Sequence, residues 1–220
     1  MLIVLEGVDG VGKTTLAKEI ASRDPSFSYV SRHDLPSLED YRRSQMQQVA
    51  SLMWAPEGGK FDHLLPTDYW IFLQTTWYTL LNQFVINPLL ENNKSVVIDG
   101  WYYKFLARLE IQGHDINYLK LVFDRIPKPD HVILLQSDVE NIFRRKKHFR
   151  SCEVGFNAAN NPRDFKNLFI QHQTQTNNNL LKYAEALSWS VVSLATDDIA
   201  TNTNLIKLEI NKLLKREQIA

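Results

Sequence analysis

The 220 residues are enough for one α/β domain with a substantial core, and 25 Lys+Arg balance 25 Asp+Glu, which argues against a surface built to grip nucleic acid. The single Cys152 excludes an internal disulfide and fits a reducing compartment, and the six histidines show no paired spacing for zinc. No apolar stretch approaches membrane-spanning length and no signal-peptide pattern opens the chain, so a cytoplasmic protein is expected.

Leu2-Ile3-Val4-Leu5 is short, branched and apolar, as a buried strand should be. Residues Gly7 to Thr14 then read G-V-D-G-V-G-K-T, a complete phosphate-loop motif, and Leu16 and Ile20 behind it have helical spacing. Such glycines let backbone N–H groups converge on phosphate oxygens while the new helix points its positive end at them. The motif therefore predicts a nucleoside triphosphate site. Gly7, Gly10, Val11 and Gly12 form its cradle, Lys13 reaches the β- and γ-phosphates, and Thr14 and Thr15 open the helix, with the Thr14 hydroxyl on Mg²⁺.

Further strands are expected at residues 27–31, 95–99, 131–136 and 190–194, after the first at 2–6. Helices are expected after the loop and at 38–52, 68–92, 101–112, 117–123, 138–149, 162–187 and 200–217. Strands alternating with helices predict a parallel sheet covered on both faces, in one domain spanning residues 1–220. Residues 55–60 break any helix and read as a mobile loop. The polar, Asn-rich stretch 150–163 is basic at both edges, and reads either as a segment that closes over phosphates or as a surface connection.

Glu6-Gly7-Val8-Asp9-Gly10-Val11-Gly12-Lys13-Thr14-Thr15 resembles the opening of thymidylate kinases. Leu38-Glu39-Asp40-Tyr41-Arg42-Arg43 resembles the helix that supplies an arginine to the acceptor phosphate in that family. Val96-Val97-Ile98-Asp99 stands where a strand leads into the family's Asp-Arg-Tyr signature, and Pro129-Asp130 precedes a strand like its fourth. Asp138-Val139-Glu140 resembles the helix start that leads to Arg144, Arg145 and a lid of about residues 144–163. The resemblance implies a P-loop NTPase fold, a five-stranded parallel sheet of order 2-3-1-4-5, and ATP with Mg²⁺. It also implies small-molecule nucleotides as partners and a possible homodimer, with no nucleic acid or membrane partner expected.

The acceptor side departs from that pattern. The signature reads Asp99-Gly100-Trp101 without its arginine, no arginine stands near Thr75-Thr76-Trp77-Tyr78, and Gln74 holds the place of the family's base-stacking phenylalanine. The resemblance therefore implies a kinase of a deoxynucleoside monophosphate, dTMP or another. Two alternatives stay open: a deoxynucleoside kinase with Glu6 or Asp99 as base, and a nucleotide-binding protein without phosphotransfer.

Asp99, at the end of a buried strand, reads as a metal-holding carboxylate or as the N-cap of the next helix. By resemblance Asp9 meets the sugar 3′-hydroxyl of the acceptor, the alternative being a solvent-facing loop residue. With no arginine in the loop, the resemblance takes the transition-state arginine from the lid, where Arg145 and Arg150 have the better spacing. Arg43, or Arg42, is expected on the acceptor phosphate, since a guanidinium fork suits its oxygens. Lys104 and Arg108, on one face of a helix, are expected either to replace the missing arginines or to form an exposed face. Base stacking is expected from one of Tyr69, Trp70, Trp77, Trp101 or Tyr103, the others being structural since five rings cannot all touch one base, and the Gln74 amide can read a base edge.

Overall fold

The computed structural model describes residues 1–31, 33–35, 41–54, 64–155, 164–194 and 198–217. Strand β1 (Leu2–Glu6) leads through the glycine loop into α1 (Lys13–Arg23), and β2 (Phe27–Val30) follows. Helices α2 (Tyr41–Met53) and α3 (Thr67–Leu81) come next; α3 passes through a π-helical turn (Asn82–Ile86) into α4 (Asn87–Glu91). The rest is β3 (Ser95–Ile98), α5 (Tyr103–Ile111), α6 (Ile116–Phe123), β4 (His131–Gln136), α7 (Val139–Arg145), α8 (Phe165–Ala186), β5 (Ser190–Ser193) and α9 (Ile199–Glu217).

All five strands are parallel, in the order β2-β3-β1-β4-β5, as the resemblance implied. β1 is central, with Val4 opposite both Ile98 and Val132. Alternation of side chains sends Leu2 and Val4 to one face and Ile3 and Leu5 to the other, all buried. On the first face they join Trp77, Leu81 and Phe123 beneath α3, α5 and α6; on the second, Ile20, Phe169 and Ile206 from α1, α8 and α9. The sheet is thus sealed on both sides and opens at its carboxyl edge, where the glycine loop and the segment after β3 emerge.

Two expected elements differ from those found. The stretch 68–92 is not one uniform α-helix: Pro88 lacks an N–H and crowds the carbonyl one turn back, and the chain widens to a π turn just before it. The helix expected at 138–149 ends at Arg145 because Lys146 turns extended. That turn lets Phe149 pack on Phe143, Phe165 and Phe169, at centroid distances of 5.1–5.2 Å. Residues 38–40, the loop at 55–60 and residues 156–163 of the expected lid lie outside the described residues.

Candidate functional site

The loop between β1 and α1 is held from within. Val8 and Val11 are 1 % exposed and root it in the core. Gly12, with φ +110°, turns the chain into α1 in a backbone conformation that side chains resist, and as the N-cap it has no side chain to bond the helix's first N–H groups. Gly10 lies so close beneath α7 that a Cβ there would stand 2.8 Å from Ile142. These are the features of a cradle for an anion at a helix N-terminus.

Lys13 is nearly buried, and its ammonium donates to the carbonyl oxygens of Gly7 and Val8 at 2.7 and 2.8 Å. The Thr14 hydroxyl donates to Asp99 Oδ2 at 2.5 Å. Tyr29, at the end of β2, donates its hydroxyl to the same oxygen at 3.0 Å. Burial above all, with the Asp99 carboxylate beside it, pushes the Tyr29 phenol up to about 12, so it stays a donor at neutral pH. Asp99 does not cap a helix: α5 begins at Tyr103 with Tyr102 as its N-cap. One carboxylate beside one hydroxyl at a phosphate loop is a donor set that suits Mg²⁺, which takes few protein ligands and keeps waters and phosphate oxygens. No cluster of three or more His, Cys, Asp or Glu able to hold a metal occurs among the described residues.

Behind the loop lies a buried ion cluster. Asp9, whose side chain is 14 % exposed, receives the Lys104 ammonium on Oδ1 and the Arg108 guanidinium on Oδ2. Burial drives its carboxyl up, but Arg108 and Lys104 outweigh this and hold it well below the usual carboxylate range. Asp9 does not face solvent, and Lys104 and Arg108 do not form an exposed face. The one-turn spacing on α5 instead brings both cations to one acid. Glu6, fully buried, accepts the N–H groups of Gly7 and Trp101; burial raises its pKa, opposed by Lys13 and Lys104.

The lid arginines divide. Arg145, at the end of α7, donates to the Gly10 carbonyl oxygen at 3.0 Å and so already touches the loop. Arg144 instead pairs with Glu140 on its own helix at 3.5 Å. The side chain of Arg150 is exposed, while its backbone N–H donates to the Glu153 carboxylate at 3.2 Å.

On the acceptor side, Arg42 lies over the Phe84 ring at 5.6 Å and Arg43 is half-buried in the first turn of α2. Gln74 is half-buried on α3. Trp101 is 3 % exposed and packs on Tyr78 at 4.6 Å, so its ring is committed to the core rather than offered to a base. Trp77 and Tyr103 are buried likewise, whereas Tyr69 and Trp70 remain half-buried.

Sequence reasoning missed Tyr29, Glu153, His172 and Gln173. A signal existed in α8: its buried stripe carries four polar residues, His172, Gln173, Thr176 and Asn179, between the apolar Phe169 and Leu180, where a core-facing helix should be apolar.

Sheet order, glycine loop and the Thr14–Asp99 pair together describe a P-loop NTPase fold with a candidate phosphate site. No family model matches the chain. It is 29 % identical over 222 residues to the probable thymidylate kinase of Thermococcus kodakarensis, covering 99 % of this chain and 100 % of that protein. It is 27 % identical over 183 residues to the probable thymidylate kinase of Pyrococcus horikoshii, covering 83 % and 82 %. Its fold matches the thymidylate kinase of Candida albicans with a TM-score of 0.62 at 19 % identity, over 96 % of this chain and 92 % of that one. That of Ehrlichia chaffeensis matches at 0.60 and 16 % identity, over 97 % and 98 %. The chain is thymidylate kinase-like in sequence and in fold.

Proposed function

We propose that this protein, as a single kinase domain over residues 1–220, transfers the γ-phosphoryl group of ATP to a deoxynucleoside monophosphate, dTMP or a close analogue, giving ADP and the diphosphate. The observation that carries the reading is the Thr14 hydroxyl 2.5 Å from the Asp99 carboxylate, beside Lys13 on the phosphate loop. Phosphoryl transfer asks for positioned phosphates and for charge neutralisation rather than covalent chemistry, and this is what such a site supplies. Mg²⁺ would be held by Thr14 and Asp99 and would neutralise the phosphate oxygens; Lys13 and the loop amides would bind the donor tail. Arg145, already on the loop, and Arg150 would approach the transferring group from the lid. Arg43 would take the acceptor phosphate and Gln74 the base edge.

The likeness to proteins named thymidylate kinase over nearly the whole chain supports this reading. The alternative of a nucleoside kinase needs a free base near the 5′-hydroxyl. Glu6, fully buried, accepts two backbone N–H groups, and Asp99 Oδ2 accepts two hydroxyls, which disfavours both as that base. The reading also carries cytoplasmic residence and a homodimer. The exposed Phe72, Tyr118 and Leu121 on α3 and α6 support the dimer. ADP release against a panel of nucleosides and monophosphates tests the function. Stimulation by a deoxynucleoside monophosphate is expected; stimulation by nucleosides alone, or by nothing, contradicts it.

A further inference from the structure

We propose that Gln173 is a positioning residue that locks Asp9 of the phosphate loop and the segment carrying Arg150 into one register. Gln173 lies on α8 and is completely buried. Its amide is used at both ends. Oε1 accepts the Asp9 N–H at 3.0 Å, while Nε2 donates to the Glu153 carbonyl oxygen at 2.6 Å and reaches Asp9 Oδ2 at 3.4 Å. Three segments far apart in the chain thus meet on one side chain that both donates and accepts.

The connection continues outward. The Glu153 carboxylate accepts the Lys146 ammonium and the Arg150 N–H, each at 3.2 Å. Lys146 is the residue at which α7 turns extended, one position beyond Arg145, which itself bonds the Gly10 carbonyl. Asp9 and Gly10 of the loop therefore seat both ends of the stretch that holds Arg145 and Arg150. On the other side Asp9 holds Lys104 and Arg108.

The physical reason for an amide here is strict. A leucine of similar size would leave the Asp9 N–H and the Glu153 carbonyl buried without these bonds, and a glutamate would retain an acceptor but no donor, beside an existing carboxylate. Displacing a catalytic arginine or a loop carboxylate by about 1 Å can cost on the order of a hundredfold in rate, even from a residue that touches no substrate. The kinetic part of the inference rests on the proposed phosphotransfer; the structural coupling does not.

Amide hydrogen exchange on the ligand-free full chain separates the two. In Gln173→Leu, residues 8–12 and residues 146–155 should both exchange about tenfold faster, with β4 unchanged. Native exchange in either segment overturns the proposal. If Gln173→Leu does not fold, Gln173→Glu must quicken exchange at 146–155, and native exchange there overturns it equally. In turnover, folded Gln173→Leu should lose about ten- to a hundredfold in kcat while KM for ATP stays within about twofold. An unchanged kcat, or a loss confined to ATP binding, overturns the positioning role. A wild-type chain that turns over no acceptor removes the functional reading and leaves the exchange test intact.

Discussion

Glu6 accepts the backbone N–H of Trp101 at 2.8 Å, so a buried acid on β1 ties down the turn that follows β3. The same carboxylate accepts the Gly7 N–H at 3.2 Å, joining the phosphate loop to the segment that begins with Asp99. Trp101 and Gly7 bond different oxygens of Glu6, so Glu6→Gln keeps one acceptor, sets an NH2 donor against the other N–H, and should cost about 1–3 kcal/mol. Glu6→Ala orphans both N–H groups and opens a cavity, and should cost roughly 2–5 kcal/mol. Urea unfolding of the two variants decides; equal losses would show that the amide bonds contribute nothing.

Removing the donor-side charge should stop the chemistry without unfolding the protein. Lys13→Ala should lose on the order of a hundredfold or more in turnover, as for deletion of one preorganised transition-state donor. Asp99→Asn should raise the Mg²⁺ concentration at half-maximal rate by about tenfold or more. ADP release measured across a magnesium titration reads both. A near-normal rate for Lys13→Ala would remove the donor assignment.

Arg43 separates the two kinase readings. If it binds an acceptor phosphate, Arg43→Ala should lower kcat/KM for the monophosphate at least about tenfold, the loss of a charge-assisted hydrogen bond. Turnover of any nucleoside should barely change. An unaffected monophosphate rate would move the acceptor phosphate away from Arg43.

His172 gives the fold a pH dependence of definite sign. It is 8 % exposed, and its Nε2 has no hydrogen-bond partner among the described residues. Burial first and Arg108 second push it down to about 4 from 6.5, against the pull of Asp9. The unfolded chain therefore binds the proton first as pH falls. Stability from this site is complete above about pH 6.5 and is lost progressively toward pH 4, by roughly 3 kcal/mol in all. Denaturant midpoints at pH 7.5 and 5 should fall more in the wild type than in His172→Gln. Equal falls would place the pH dependence on other groups.

The phosphate loop with its flanking strand and helix was legible because local rules write it, whereas the sheet order came only from the resemblance. Glycines where the backbone must turn, apolar runs where a parallel strand is buried on both faces, and the lysine and threonine that open the helix are all consecutive in the chain. Asp99 was singled out as the strand end the resemblance set beside the loop, and the structure brings it against the Thr14 hydroxyl.

What surrounds the loop was decided by tertiary packing. One-turn spacing on α5 indicated that Lys104 and Arg108 share a face, but only the docking of α5 behind the loop aimed that face at Asp9. Trp101 read as a stacking ring until the closeness of Tyr78 placed it in the core. Tyr29 meets Asp99 because β2 and β3 are neighbours in the sheet, although the two residues lie 70 apart in sequence. Gln173 has no motif to announce it, and its meaning depends on partners 164 and 20 residues away. Backbone conformation follows from neighbours along the chain, whereas the environment of a buried polar group follows from whichever elements pack against it.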